Sequence, residues 1–133
     1  MMTPENIKNY LKAQLPGTEV IVAGVNTDHP RCIGVWESRN PPRRRRCIGE
    51  NRNTTWQEAA FTVLVHWTDN PVAAEQQASA LAARFDPAPE QIDGISVVSC
   101  TISAPRWEGR TVNRICEYSV DIRVRYKEVA ING

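Results

Sequence analysis

The chain is short of the residues that usually betray a chemistry. It has two histidines, His29 and His66, and nothing places them as partners in a zinc pattern. Its four cysteines, Cys32, Cys47, Cys100 and Cys116, show no C-x-x-C spacing, so neither a metal framework nor a cofactor is expected. No G-x-S-x-G, H-E-x-x-H, phosphate loop or dinucleotide glycine pattern occurs. The acidic residues are scattered, with no close pair suited to acid–base work. A catalytic role is therefore not expected. No apolar run approaches the ~20 residues of a membrane span. Residues 1–6 lack a basic start followed by an apolar stretch, so no secretory signal is expected and the cytoplasm is the default location. The cysteines should then stay reduced.

What is present fits one ordinary domain spanning residues 1–133. Apolar residues make up 41% and charged residues 23%, which excludes a disordered tail. The net charge is only +1, yet it is unevenly spread. Between Glu37 and Arg52 six arginines face two glutamates. This 39–55 segment reads as an irregular, Arg-rich variable loop, because Pro41-Pro42 forbids regular structure ahead of four consecutive arginines.

Around that loop the periodicities predict elements. Residues 3–15 read as a helix capped by Thr3, with Pro4 at its first position and Ile7, Leu11 and Leu15 along one stripe. Residues 19–25 and 31–38 read as strands. Residues 55–67 give the strongest strand signal, apolar on both faces and so central in a sheet. Asn70 or Asp69 caps a second helix over 70–85, which Pro71 opens and Pro87 and Pro89 end. The segment 86–94 reads as a polar linker, 95–104 as a strand and 105–112 as a loop. Residues 113–126 read as a final strand with Cys116, Tyr118, Val120, Ile122, Val124 and Tyr126 on its buried face. The expected fold is α+β: a mixed, mostly antiparallel sheet of about five strands with two helices packed on it, in the order α-β-β-β-α-β-β. Cys100 and Cys116 flank Glu108 symmetrically, and Cys32 and Cys47 flank Asn40. If each pair closes a hairpin, its members should face each other.

Two places offer contact chemistry. The first comprises Arg39, Arg43, Arg44, Arg45, Arg46 and Arg52, whose forked donors suit phosphates or acidic protein surfaces. A loop of this kind would bind nucleic acid without reading its sequence. The second is Arg106, Trp107 and Arg110, an aromatic between arginines beside Gly109, the composition of an interface anchor. Trp107 could equally fold back onto the sheet edge. The two readings they support are a sequence-independent nucleic-acid-binding accessory module and a structural assembly protein.

The arrangement resembles a family of tailed-phage proteins, the tail terminators or minor capsid proteins. The match is carried by T-W-Q-E-A-A-F-T-V-L-V-H-W at 55–67 running into N-P-V-A-A-E-Q-Q-A-S-A-L-A-A-R-F at 70–85. Further on come a strand ending at Pro105, G-R at 109–110, and a last strand containing E-Y-S-V-D-I-R-V-R-Y. The likeness spans roughly residues 4–128. The R-W-E-G-R loop and the four-arginine run depart from the family pattern. The resemblance implies a small α+β sandwich acting as a ring, possibly of six copies, without catalysis. Its implied partners are further copies of itself, the tail-tube protein and head-connector proteins, with possible non-specific DNA contact and no membrane. Its implied location is the host bacterial cytoplasm during assembly and then the virion.

Overall fold

The structure, a computed structural model, describes residues 1–16, 18–22, 31–38 and 54–129, the side chains of residues 54–55 and 128–129 excepted. Helix α1 (Pro4–Gln14) starts where the sequence predicts it. The Asn6 side chain accepts hydrogen bonds from the Thr3 N–H at 2.8 Å and the Thr3 hydroxyl at 3.1 Å, which tethers the first turn. Ile7 and Leu11 bury one stripe completely. Strand β1 (Glu19–Val22) then pairs in parallel with β2 (Cys32–Glu37). Strand β3 (Thr54–Thr68) runs antiparallel to β2, and α2 (Pro71–Ala82) follows. Asn70 caps α2 by accepting from the N–H groups of Val72 at 3.0 Å and Ala73 at 3.2 Å. A 3₁₀ turn (Ala83–Phe85) ends it.

Four strands complete the chain: β4 (Gln91–Ile92), β5 (Ile95–Ile102), β6 (Arg106–Arg110) and β7 (Cys116–Val129). The sheet order is β1-β2-β3-β7-β5-β4, with β6 also on β7. The expectation of about five strands is therefore corrected to seven among the described residues. Residues 86–94, expected to be a linker, contain β4 and a two-residue turn at Asp93-Gly94, with φ of +50° and +82°. That is the backbone an Asp-Gly hairpin requires. Residues 105–112, expected to be a loop, contain β6. A five-residue stretch holding Gly and preceded by Pro carries no strand pattern of its own, and it is a strand because β7 offers it a ladder.

Strands β3 and β7 form the axis of the sheet. Their ladder pairs Thr54 with Val129 at one end and Thr68 with Cys116 at the other. Alternate residues separate cleanly. Phe61, Val63, Val65, Val120, Ile122 and Val124 are at most 1% exposed and meet Ile7, Leu11, Leu81 and Phe85 from the helices. Small Ala74 and Ala78, both fully buried, let α2 lie close to the sheet. Among the described residues no helix is long and apolar enough to cross a membrane.

Candidate functional site

The six arginines of the 39–55 loop, Arg39, Arg43, Arg44, Arg45, Arg46 and Arg52, lie outside the described residues, as does Cys47. Arg106, Trp107 and Arg110 all lie on β6, beside the first half of β7, but on two faces of it. Strands β5 and β6 follow one another along the same side of β7. Pro105 separates them because it has no N–H for the ladder. Three residues, 103–105, then oppose two, 120–121. Ser103 bridges the gap. Its N–H donates to the Asp121 carbonyl and its hydroxyl accepts from the Asp121 N–H, both at 2.9 Å.

Arg106 stands on the face of the sheet opposite the helices, and most of its hydrogen bonding is internal. Nη1 donates to Asp121 Oδ2 at 2.8 Å and Nε to Glu108 Oε1 at 2.9 Å. Ser119 donates to the same Glu108 oxygen at 2.6 Å, Thr62 donates to Asp121 at 3.0 Å, and Ser38 lies 3.1 Å from Thr62. The chain Ser38–Thr62–Asp121–Arg106–Glu108–Ser119 thus ties the end of β2 to β3, β7 and β6. Asp121 is held below the usual carboxylate range chiefly by Arg106, and Glu108 by Ser119 and then Arg106. An open trough of about 780 Å³ runs over this face, lined among others by Trp36, Leu64, Glu117 and Arg123.

A bulge at Glu108 sets the other side of β6. Without it Arg110 would share a face with Arg106. With it Arg110 pairs with Cys116 and turns to the face of Trp107. Gly109 supplies the φ of +121° that this bulge demands. Trp107 is 48% exposed and meets Tyr118 edge-on at 5.2 Å between ring centroids. It rests on the sheet edge and still presents half its surface. Glu75 of α2 adds to the burial that raises the Tyr118 pKa, which places the start of α2 near this ring. Val72 lies one turn before Glu75 on the same helix face and is 63% exposed. The β6–β7 turn is closed by Thr111 N–H donating to the Ile115 carbonyl at 3.0 Å, with Val112 fully exposed at its tip. Among the described residues Arg110 and Arg114 make no ion pair, and both are exposed.

His66 is fully buried mid-strand, and its Nδ1 donates to Glu117 Oε2 at 2.9 Å. Cys32 stands opposite His66 in the ladder, but Nε2 has no partner, so the thiol does not bond the imidazole. The symmetry of Cys100 and Cys116 fails as a guide to register, and the Cys32–Cys47 pair lies partly outside the described residues. Cys100 pairs with Val124 and Cys116 with Arg110 and Thr68, so the two do not face each other. Burial pushes the Cys100 thiol up to about 11. Glu108, Ser119, Asp121 and Thr62 were not singled out by sequence. Arg106-x-Glu108 is a legible spacing, but the place of Asp121 beside it depends on strand register.

No family model matches the chain, and no curated protein matches it. A solved structure aligns with 97% of this chain and 91% of its own, at 17% identity and a TM-score of 0.45. A likeness at that level carries no argument about function.

Proposed function

We propose that this protein is a phage or prophage virion structural component of the tail terminator or minor capsid type. It assembles into a ring, caps the tail tube and joins it to the head by shape and charge complementarity, without catalysis. Its partners are copies of itself, the tail-tube protein and the head-connector proteins. It works in the host bacterial cytoplasm during assembly and then in the virion. The resemblance over roughly residues 4–128 motivates this reading, and the β6–β7 hairpin is the observation that carries it. A half-exposed Trp107, a fully exposed Val112 and the exposed Arg110 and Arg114 stand at one end of a 14-residue strand. Aromatic and arginine anchors on a rigid element are what assembly interfaces use.

Native mass spectrometry across concentration, with and without purified tail tubes, tests it. A closed ring, with six copies expected, supports the reading. A monomer both free and in the presence of tubes overturns it. Changing Arg43, Arg44, Arg45 and Arg46 to Ser should lower phage titre while leaving the fold intact. Salt-sensitive binding of generic DNA by a monomer that never forms a ring would instead favour the nucleic-acid-binding module.

A further inference from the structure

The two hairpin ends of the sheet carry opposite charge. Residues 106–114 hold three arginines and one glutamate, and residues 86–93 hold Asp86, Glu90 and Asp93 with no basic residue. The topology sets them far apart. Arg110 pairs with Cys116 at the start of β7, whereas Val97, just after the Asp93-Gly94 turn, pairs with Tyr126. Ten residues of strand separate those positions, about 33 Å. Asp86, Glu90 and Asp93 are exposed, and among the described residues none makes an ion pair. Asp93 is fixed by the side-chain amides of Asn9 at 2.9 Å and Asn6 at 3.0 Å, which hold its carboxylate ionised below the usual range.

We infer that a second copy of this chain docks its acidic 86–93 end onto the basic β6–β7 hairpin of the first. The inference rests on the ring reading and names the contact that closes the ring. One patch basic, the other acidic, on opposite ends of the same chain, is a heterologous pairing, and heterologous contacts close rings. Trp107 and Val112 form the apolar centre of the contact, and the charges around them set orientation and exclude the head-to-head arrangement.

Charge reversal on each side tests it. One variant carries Arg110→Glu with Arg114→Glu, the other Asp86→Lys with Glu90→Lys. Asp93 is left intact because it anchors α1. All four side chains are exposed and make no ion pair among the described residues, so circular dichroism and thermal midpoint should match wild type. Each variant alone should self-associate about a hundredfold more weakly than wild type. Mixed one to one, they should restore rings in which the two variants alternate, read by native mass spectrometry. Rings from either variant alone at wild-type strength, or a mixture that fails to assemble, would overturn the head-to-tail contact and leave the ring reading standing. A wild type that does not associate at any concentration also overturns the contact. The ring reading falls only if the tube-bound form is monomeric as well.

Discussion

The two faces of the β3–β7 ladder are made from alternate residues of the same two strands, yet different forces hold them. On the helix side Phe61, Val63, Val65, Val120, Ile122 and Val124 exclude water completely. That face is held by burial, which is strong and non-directional. On the other side Thr62, Ser119 and Asp121 are held by directional bonds through Arg106 and Glu108. A one-residue slip of register would exchange the faces. The apolar face thus supplies most of the stability, and the polar face reports whether the register is right and shapes the surface offered to partners.

Neighbouring residues 61 and 62 separate the two contributions most sharply. Phe61→Ala should cost about 3–5 kcal/mol in urea unfolding, because it opens a cavity in a face with no water to fill it. Thr62→Ala removes one hydroxyl that donates to Asp121 and should cost about 1 kcal/mol. Equal losses at the two positions would mean that the polar face bears as much of the fold as the core.

The next largest effect belongs to His66, an ionisable side chain of the outer face that is fully buried. Glu117→Ala strands Nδ1 of His66 beside an Nε2 that already lacks a partner. A buried donor left unmade costs about 1–3 kcal/mol. Glu117→Gln keeps an acceptor and should recover most of that loss. No recovery by Gln would show that charge, rather than the hydrogen bond, holds the imidazole.

How much of this was readable beforehand follows the same division. Burial patterns are local, so α1, α2, β3 and the alternating face of β7 were legible from period alone. The Asp93-Gly94 turn carries a legible signal, flanked by Ile92 and Ile95 as an Asp-Gly hairpin should be, but the polar composition of 86–94 reads equally as a linker. Strand β6 was not legible. R-W-E-G-R has no alternation, and only pairing with β7 makes it a strand. Nor could sequence show that the bulge at Glu108 parts Arg110 from Arg106, which sends one arginine to an internal network and the other to the surface.

That network should respond to acid. Asp121 and Glu108 titrate below their ordinary range, so the folded state releases their protons more readily than the unfolded chain does. Their contribution is complete above the unfolded values of about 4 and is lost as pH falls through the lower folded values. In Asp121→Asn the acid-dependent part of stability should shrink, with about 1 kcal/mol lost at neutral pH. Amide exchange in β6, compared at pH 6 and pH 3, measures it. A wild-type β6 that opens no faster at pH 3 would remove the carboxylates from the account of how the hairpin is held.

The smallest effect is at Arg125, further along the same polar face. Its guanidinium lies 4.3 Å from the Trp56 ring centroid and Nη2 donates to Glu58 at 3.1 Å, with the side chain 39% exposed. An exposed ion pair contributes about 0.2–1 kcal/mol and an exposed cation–π contact about 0.5–1 kcal/mol. Arg125→Met keeps the stem over the ring and removes the charge, while Arg125→Lys keeps the charge and removes the planar fork. If stacking dominates, both should lose a few tenths of a kcal/mol, and added salt should leave the difference unchanged. If the bond to Glu58 dominates, Lys should retain stability that Met loses, and salt should erase the gap. The first outcome is expected, because the flat guanidinium over indole is the part of this contact that water screens least.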